Sequence, residues 1–373
     1  MPRNDVGLPP KRWPICALFT GICLTLFELT GYAAPSIDEI RTIVAQKALL
    51  PPSSESLAAL NITNLDAGLQ AMDPYARYVP TSFQSANLPH ALHLGIEVFA
   101  YKSRVWVRPD TGGPADKAGV PEISELLAIN GKVPGTDLAL ISTRLDMALK
   151  KGYANLTVAK RSGGKERLYK VKPSAFKPPS VTWRRMGSDL VLRISEFASH
   201  DTAPGISARL SALMRPGSRI VLDLRGCSGG DLYEALEVAG MFVPAGRPMV
   251  NTNDRAGKIQ IYRSPSGRKQ RGRVLLLIDR RTASSAEILA GILQHHHVAR
   301  VVGERSYGKC VSQALFPLSD HGGLWLTTLG ISFPDNTSCN GNGITPDVPY
   351  PDVSVTRTAA ILSEIKNGIF ISN

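Results

Sequence analysis

The sequence predicts an α+β multidomain protein, and three observations carry that expectation. Between Ser36 and Met72 the apolar residues recur at three- and four-residue intervals, as in amphipathic helices. From about residue 84 to 173, short alternating runs are punctuated by Gly, Pro and Asn-Gly turns, as in a β-rich unit. After Pro178-Pro179, strand, glycine turn and helix follow one another in repeated units, the pattern of an α/β core. A length of 373 residues accommodates two or three domains with a sizeable core, and 43% hydrophobic with 20% charged residues is an ordinary folded composition. Disordered and fibrous classes are thereby excluded.

Residues 1–34 stand apart. Arg3, Lys11 and Arg12 precede an apolar run from Ile15 to Phe27, and Gly31-Tyr32-Ala33-Ala34 suits cleavage after Ala33 or Ala34. The run is short of the ~20 residues that span a bilayer, so it reads as an export signal to a periplasm or cell surface. If left uncleaved, it would give membrane association through an amino-terminal anchor. Residues 35–83 form the helical region, with Ile37, Ile40, Ile43 and Val44, then Leu57 and Leu60, then Leu65 and Leu69 as its apolar stripe, broken at Pro51-Pro52.

In the β-rich unit, His93 to Val98 begins a strand and Gly113 to Val120 forms a loop into a short helix. Leu126 to Ile129 is a strand closed by Asn130-Gly131, and Leu156 to Arg161 is a further strand. The core, residues 178–353, starts with strands at Asp189–Ile194 and Ser218–Leu224 around a helix from about Ala203 to Met214. Arg225 to Gly230 is a glycine turn, and Asp231 caps a helix whose face carries Leu232, Ala235, Leu236 and Ala239. Residues 354–373 make a carboxyl-terminal helix or tail.

The chemistry concentrates between Thr282 and Gln313. Val274–Ile278 has the character of a buried strand, and Ala286, Leu289, Ala290 and Leu293 recur at helical spacing, so Ser284 falls where strand hands over to helix. There the N–H of Ser285 points where a carbonyl oxygen would gain negative charge in acyl transfer. Ser284 is then a nucleophile. A plainer reading is a capping box, with Ser284 at the N-cap and Glu287 reaching back. Gly308-Lys309 enters an alternating run, which puts Gln313 on the same strand face as Lys309 and Cys310 on the other. Lys309 is the candidate base and Gln313 its orienting group. A lysine base must be neutral, and its ordinary pKa of roughly 10.4 requires burial to lower it. The plainer alternative is a solvated lysine beside a turn glycine.

Thr282-Ala-Ser284-Ser-Ala-Glu287, Ala290-Gly291, Gln294, Val302-Gly303-Glu304, Gly308-Lys309, Gln313, Leu326-Thr327-Thr328, Gly341, Gly343-Ile344 and Pro346-Asp347-Val348 together resemble the carboxyl-terminal processing peptidases, also called tail-specific proteases. The resemblance implies Ser284 as nucleophile, Lys309 as base and Gln313 as its support, on a crotonase-like peptidase core. It makes Arg225-Gly226-Cys227-Ser228-Gly229-Gly230 the counterpart of a turn whose backbone N–H, at Gly230 before Gly229, joins Ser285 as oxyanion donor. In that turn Cys227-Ser228 stands for Asn-Pro, and Cys310 stands where a glycine is usual. Residues 84–173 resemble a PDZ domain, with Leu94, Gly95 and Ile96 receiving a substrate's terminal carboxylate. Glu97 close by is a charge that weighs against a carboxylate. Asp73-Pro74-Tyr75-Ala76-Arg77-Tyr78 is similar to a segment leading into that domain and reads as a linker marker. Protein or peptide substrates are implied through their carboxyl-terminal segments, with no cofactor and no metal. The alternatives are a catalytically impaired peptide-binding protein of the same fold and an acyl-transfer enzyme of the crotonase kind.

The net charge of +12 gathers largely between Arg247 and Arg273. Stacking aromatics are nearly absent there, so a solvated hairpin and loop is the expectation and no nucleic acid partner is implied. His295-His296-His297 lie at adjacent positions, fan out around a helix axis and cannot converge on a metal. Outside the signal, Cys227, Cys310 and Cys339 form an odd set. Three buried, inert thiols are the expectation, and a disulfide from Cys310 to Cys227 or Cys339 is the alternative.

Overall fold

The computed structural model describes residues 35–80, 92–101, 104–110, 112–121, 124–160, 165–265, 274–350 and 358–366. The export signal expected over 1–34 lies outside them. Among the described residues no helix is long and apolar enough to cross a membrane.

The amino-terminal region folds as its spacing predicts, into α1 (Ile37–Lys47), α2 (Ser54–Ala59), a 3-10 turn (Ile62–Asn64) and α3 (Leu65–Met72). Ser36 caps α1 by accepting the Glu39 N–H, and the Arg41 guanidinium donates to the carbonyl oxygens of Leu57, Ala58 and Leu60. The buried Ile40, Val44, Leu65 and Leu69 pack on Leu318, Leu324 and Leu326 of the core region. The chain then enters β1 (Arg77–Val79), which pairs antiparallel with Gly323–Trp325. This corrects the linker reading of Asp73–Tyr78. Asp73 accepts both the backbone N–H and the hydroxyl of Thr327, so the segment is part of the core's wall.

The middle unit opens with β2 (Leu92–His93) and continues with β3 (Ile96–Tyr101), β4 (Arg104–Pro109), α4 (Pro114–Lys117), β5 (Ser124–Ile129), α5 (Leu138–Lys150), β6 (Ala154–Lys160) and β7 (Arg167–Val171). Strands β3 to β7 form an antiparallel sheet in that order, and β2 pairs with β8 (Ser174–Ala175). Val105, Val107, Leu126, Ile129, Ile141, Leu156 and Val158 make its core. Asn130 and Gly131, both at positive φ, close β5 as the Asn-Gly pair predicts. The strand expected from His93 is interrupted at Leu94-Gly95. Gly95 has φ +62, and a Cβ there would come within 2.8 Å of Pro114 Cδ, so the chain turns before β3 begins.

The core region holds β9 (Val181–Met186), β10 (Asp189–Ile194), α6 (Thr202–Leu213), β11 (Arg219–Asp223), α7 (Leu232–Gly240), β12 (Pro248–Asn253), β13 (Ile259–Arg263), β14 (Val274–Ile278), α8 (Ser285–His295), β15 (Ala299–Gly303), β16 (Val311–Pro317), β17 (Gly323–Ser332), β18 (Val348–Pro349) and α9 (Thr358–Lys366). One sheet runs β18-β15-β14-β11-β10-β9, parallel except for β9. Both faces are covered, which is why its strands read as continuous apolar runs. Leu222, Leu276 and Ile278 pack with α6, α7 and α8, whereas Val221, Leu275 and Leu277 pack with Ile361 and Leu362 of α9. The second sheet runs β1-β17-β12-β13, with β16 on β17. Its β12–β13 hairpin carries the basic segment, as expected up to residue 265; 266–273 lie outside the described residues. Strands β11, β14 and β15 end side by side, so the turns that follow them meet at one edge. Ligands of open parallel sheets bind at such carboxyl ends.

Candidate active site

The turn after β14 delivers Ser284. Its backbone has φ 56 and ψ −125, a region costly for any residue with a Cβ. The surroundings fix the turn. Thr282 donates its N–H to Asp279 and its hydroxyl to the Leu224 carbonyl, while its own carbonyl accepts the Tyr307 N–H. Ala283 donates to the Cys227 carbonyl at 2.9 Å. Ser284 is half-buried, and α8 begins at the next residue.

Glu287 holds this turn to the one after β15. Its side chain is buried, in a helix otherwise packed with Ala286, Ile288, Leu289 and Ala290. It reaches back to the Ser284 N–H at 3.0 Å, as a capping box requires. It also accepts the Ser306 hydroxyl at 2.5 Å and the backbone N–H groups of Gly308 at 2.6 Å and Lys309 at 2.7 Å. Burial pushes its carboxyl above the ordinary value, against the four donors, which favour the charged form. The cap is legible in the sequence, and this second role is not. A carboxylate on an apolar helical face was the available signal.

Lys309 is half-buried, and its Nζ lies 2.6 Å from Gln313 Oε1, the pairing expected of a base and its orienting group. The local backbone differs from the expectation. Residues 309–313 are not a regular strand: β16 starts at Val311, with a register shift between Ser312 and Gln313. The N–H groups that a ladder would use are diverted, those of Gly308 and Lys309 to Glu287 and that of Cys310 to Asn340. Gly308 takes φ +98, and its Cα lies where a Cβ would meet the backbone of residues 341–343 at 3.1 to 3.2 Å.

The glycine turn after β11 lies against the serine. A Cβ on Gly229 (φ +105) would stand 2.7 Å from Ser284 Cβ, and one on Gly230 (φ +136) would stand 2.3 Å from the Phe197 carbonyl oxygen. Both positions therefore require glycine. The Ser285 hydroxyl donates to the Gly230 carbonyl at 2.8 Å, so the two expected oxyanion donors belong to segments bonded to each other. Beneath the turn, Arg225 is fully buried and donates to Asp223 through Nε at 2.7 Å and Nη2 at 2.6 Å. Burial opposes the Asp223 charge, but the Arg225 guanidinium outweighs it and holds the carboxyl well below its ordinary range. Burial pushes the Cys227 thiol up to about 11, leaving it protonated and inert.

Leu94, Gly95 and Ile96 lie in the middle unit rather than in the cluster around Ser284. The two are linked electrostatically. Glu97, on β3, is held by Arg108 and, at 3.1 Å, by Arg193 of β10, which in turn faces Asp223 at 3.7 Å. Cys310 and Cys339 form a disulfide, which corrects the expectation of three free thiols; Cys227 alone is free among the described cysteines. Of the three adjacent histidines, His295 closes α8, His296 meets the Pro248 carbonyl and His297 turns away at positive φ.

The model of peptidase family S41 matches residues 190–350 of this chain. Among curated relatives, a probable CtpA-like serine protease of Staphylococcus epidermidis is 28% identical over 284 residues, covering 74% of this chain and 57% of the relative. The chain thus spans little more than half the length of that relative. A probable CtpA-like serine protease of Staphylococcus aureus is 26% identical over 394 residues, covering 96% of this chain and 78% of the relative. The fold is similar to that of a putative S41 protease from Bacteroides fragilis, with TM-score 0.64 and 16% identity over 90% of this chain and 98% of the other. It is also similar to a photosystem II D1 C-terminal processing protease, with TM-score 0.55 and 21% identity over 84% of this chain and 92% of the other.

Proposed function

We propose that the chain is an exported serine endopeptidase that cleaves proteins in or near their carboxyl-terminal regions through an acyl-enzyme. The observation that carries this reading is the Glu287 carboxylate, which takes the backbone N–H of Ser284 and of Lys309 and so fixes a nucleophile and a base in one frame. Lys309 takes the proton of the Ser284 hydroxyl as the serine oxygen attacks the scissile carbonyl. N–H groups of Ser285 and Gly230 receive the oxyanion, Lys309 protonates the leaving amine, and water releases the acyl group. Gln313 keeps Nζ in place.

In this reading residues 84–173 are a PDZ-like domain and residues 178–353 a crotonase-like core. Strand β3 is the terminal strand of its sheet, where a peptide adds as a further strand. Leu94, Gly95 and Ile96 would receive its carboxylate. The Glu97 charge is offset by two guanidinium groups, which removes the objection that it repels an anion. Export to a periplasm or cell surface rests on the sequence of residues 1–34 alone. The test assays Ser284→Ala and Lys309→Ala against casein, an unstructured protein. Loss of cleavage in both is expected, and undiminished cleavage by either ends the reading.

A further inference from the structure

Tyr75 comes from the amino-terminal helical region, far from the core in sequence, yet three of its groups meet the base segment. Its carbonyl oxygen accepts the Gln313 Nε2–H at 2.9 Å. Its hydroxyl lies 2.9 Å from the Gly308 carbonyl oxygen and 3.0 Å from Asn340 Oδ1. Its ring centroid lies 5.1 Å from Lys309 Nζ. The placement is enforced by Asp73, which accepts the Tyr75 N–H at 3.1 Å and both donors of Thr327 on β17.

Each contact has a chemical consequence at Lys309. A glutamine can present either its oxygen or its NH2 to a neighbour. With the Tyr75 carbonyl, an acceptor, on one side, the amide must turn its NH2 there and its Oε1 to Lys309. An acceptor 2.6 Å from Nζ takes one N–H of the neutral amine and leaves the lone pair for another direction. The hydroxyl fixes the Gly308 carbonyl and with it the backbone that carries Lys309. The ring excludes water from one side of Nζ and lies within the distance at which an aromatic face attracts an ammonium, the species formed once the proton has moved.

We propose that Tyr75 is a positioning residue for Lys309, so that the amino-terminal region completes the base rather than merely leading the chain into the core. The inference rests on the serine peptidase reading above. In the step it serves, the Ser284 O–H bond breaks as an N–H bond forms on Lys309, and Tyr75 neither gives nor takes a proton.

The experiment uses the full chain, with casein hydrolysis and labelling of Ser284 by a fluorophosphonate probe, each followed against pH. Tyr75→Phe keeps ring and carbonyl but loses the hydroxyl, and kcat is expected to fall about tenfold with KM unchanged. Tyr75→Ala also removes the ring beside Nζ, and a fall of about 100-fold is expected, with the limb of the pH profile that Lys309 sets moved from its wild-type position. Wild-type kcat in Tyr75→Phe overturns the inference, as does a lowered Tm in Tyr75→Ala with an unmoved pH profile, which marks a structural role only. A wild-type chain without Ser284-dependent turnover or labelling overturns the peptidase reading, and the inference with it.

Discussion

Ser284 and Lys309 give their backbone N–H groups to the same oxygen of Glu287, at 3.0 and 2.7 Å. The other oxygen takes Ser306 and Gly308. A carboxylate can accept all four, and an amide cannot, because its NH2 would face donors. Glu287→Gln is therefore expected to lose roughly 1–3 kcal/mol for each stranded donor. Casein hydrolysis should fall about 100-fold, since the turns that carry Ser284 and Lys309 lose their common tie. Urea denaturation and the casein rate check this; wild-type values for both would refute the bridging role.

The Ser284 backbone carries a cost that a glycine would not. At φ 56 and ψ −125 a Cβ is strained, and about 1–3 kcal/mol is typical of such positions. Glycine also loses ~0.4–1 kcal/mol through the greater freedom of the unfolded chain. Ser284→Gly is therefore expected to be inactive yet more stable than Ser284→Ala by about 1 kcal/mol, the difference between those two effects. Thermal denaturation of both variants decides it, and equal or reversed stabilities would show that the turn is unstrained.

What was legible in the sequence was what neighbouring residues determine. Ala286, Leu289, Ala290 and Leu293 face the core because helical spacing fixes their side, and Val274–Ile278 reads as a strand because both its faces are covered. The Ser284 turn was legible for the same reason, as the junction of those two elements. What long-range approach determines was not legible. Residues 309–313 alternate like a strand, but their N–H groups go to Glu287 and Asn340, which no local pattern reveals. Tyr75 looked like part of a linker because its partners Gly308, Gln313 and Asn340 lie in distant segments. The cysteine pairing depends on the turn around Gly341, whose N–H bonds to the Gly308 carbonyl, bringing Cys339 to Cys310.

That disulfide closes a loop with a sequence separation of 29 and crosslinks the residue after Lys309 to the turn behind it. Cys339→Ala and Cys310→Ala are each expected to destabilise by about 2–4 kcal/mol, and the double variant by little more than either, because one bond is lost in all three. Reduction of the wild type should lower its denaturation midpoint to match. Thiol counting on the denatured chain should find two more thiols with reductant than without. An equal count would show that the bond does not form.

Asp223 ends β11 immediately before the glycine turn, and its ion pair with Arg225 makes that turn sensitive to acid. Arg225 Nη2 reaches both Asp223, at 2.6 Å, and the Thr358 hydroxyl, also at 2.6 Å, so the pair joins the turn to α9. Asp223→Asn strands a buried guanidinium, and about 3–5 kcal/mol of stability should be lost at neutral pH. The sign of the pH dependence follows from a folded carboxyl held below its ordinary value of 3.8. The contribution is fully present above 3.8, where the unfolded carboxyl is also ionised, and declines as pH falls below that toward the folded value. The stability gap between wild type and Asp223→Asn should therefore be constant from pH 7 to about 5 and narrow below 4. Urea denaturation across that range measures it. A gap that stays constant or widens on acidification would mean that Asp223 is not ionised against Arg225 in the folded protein.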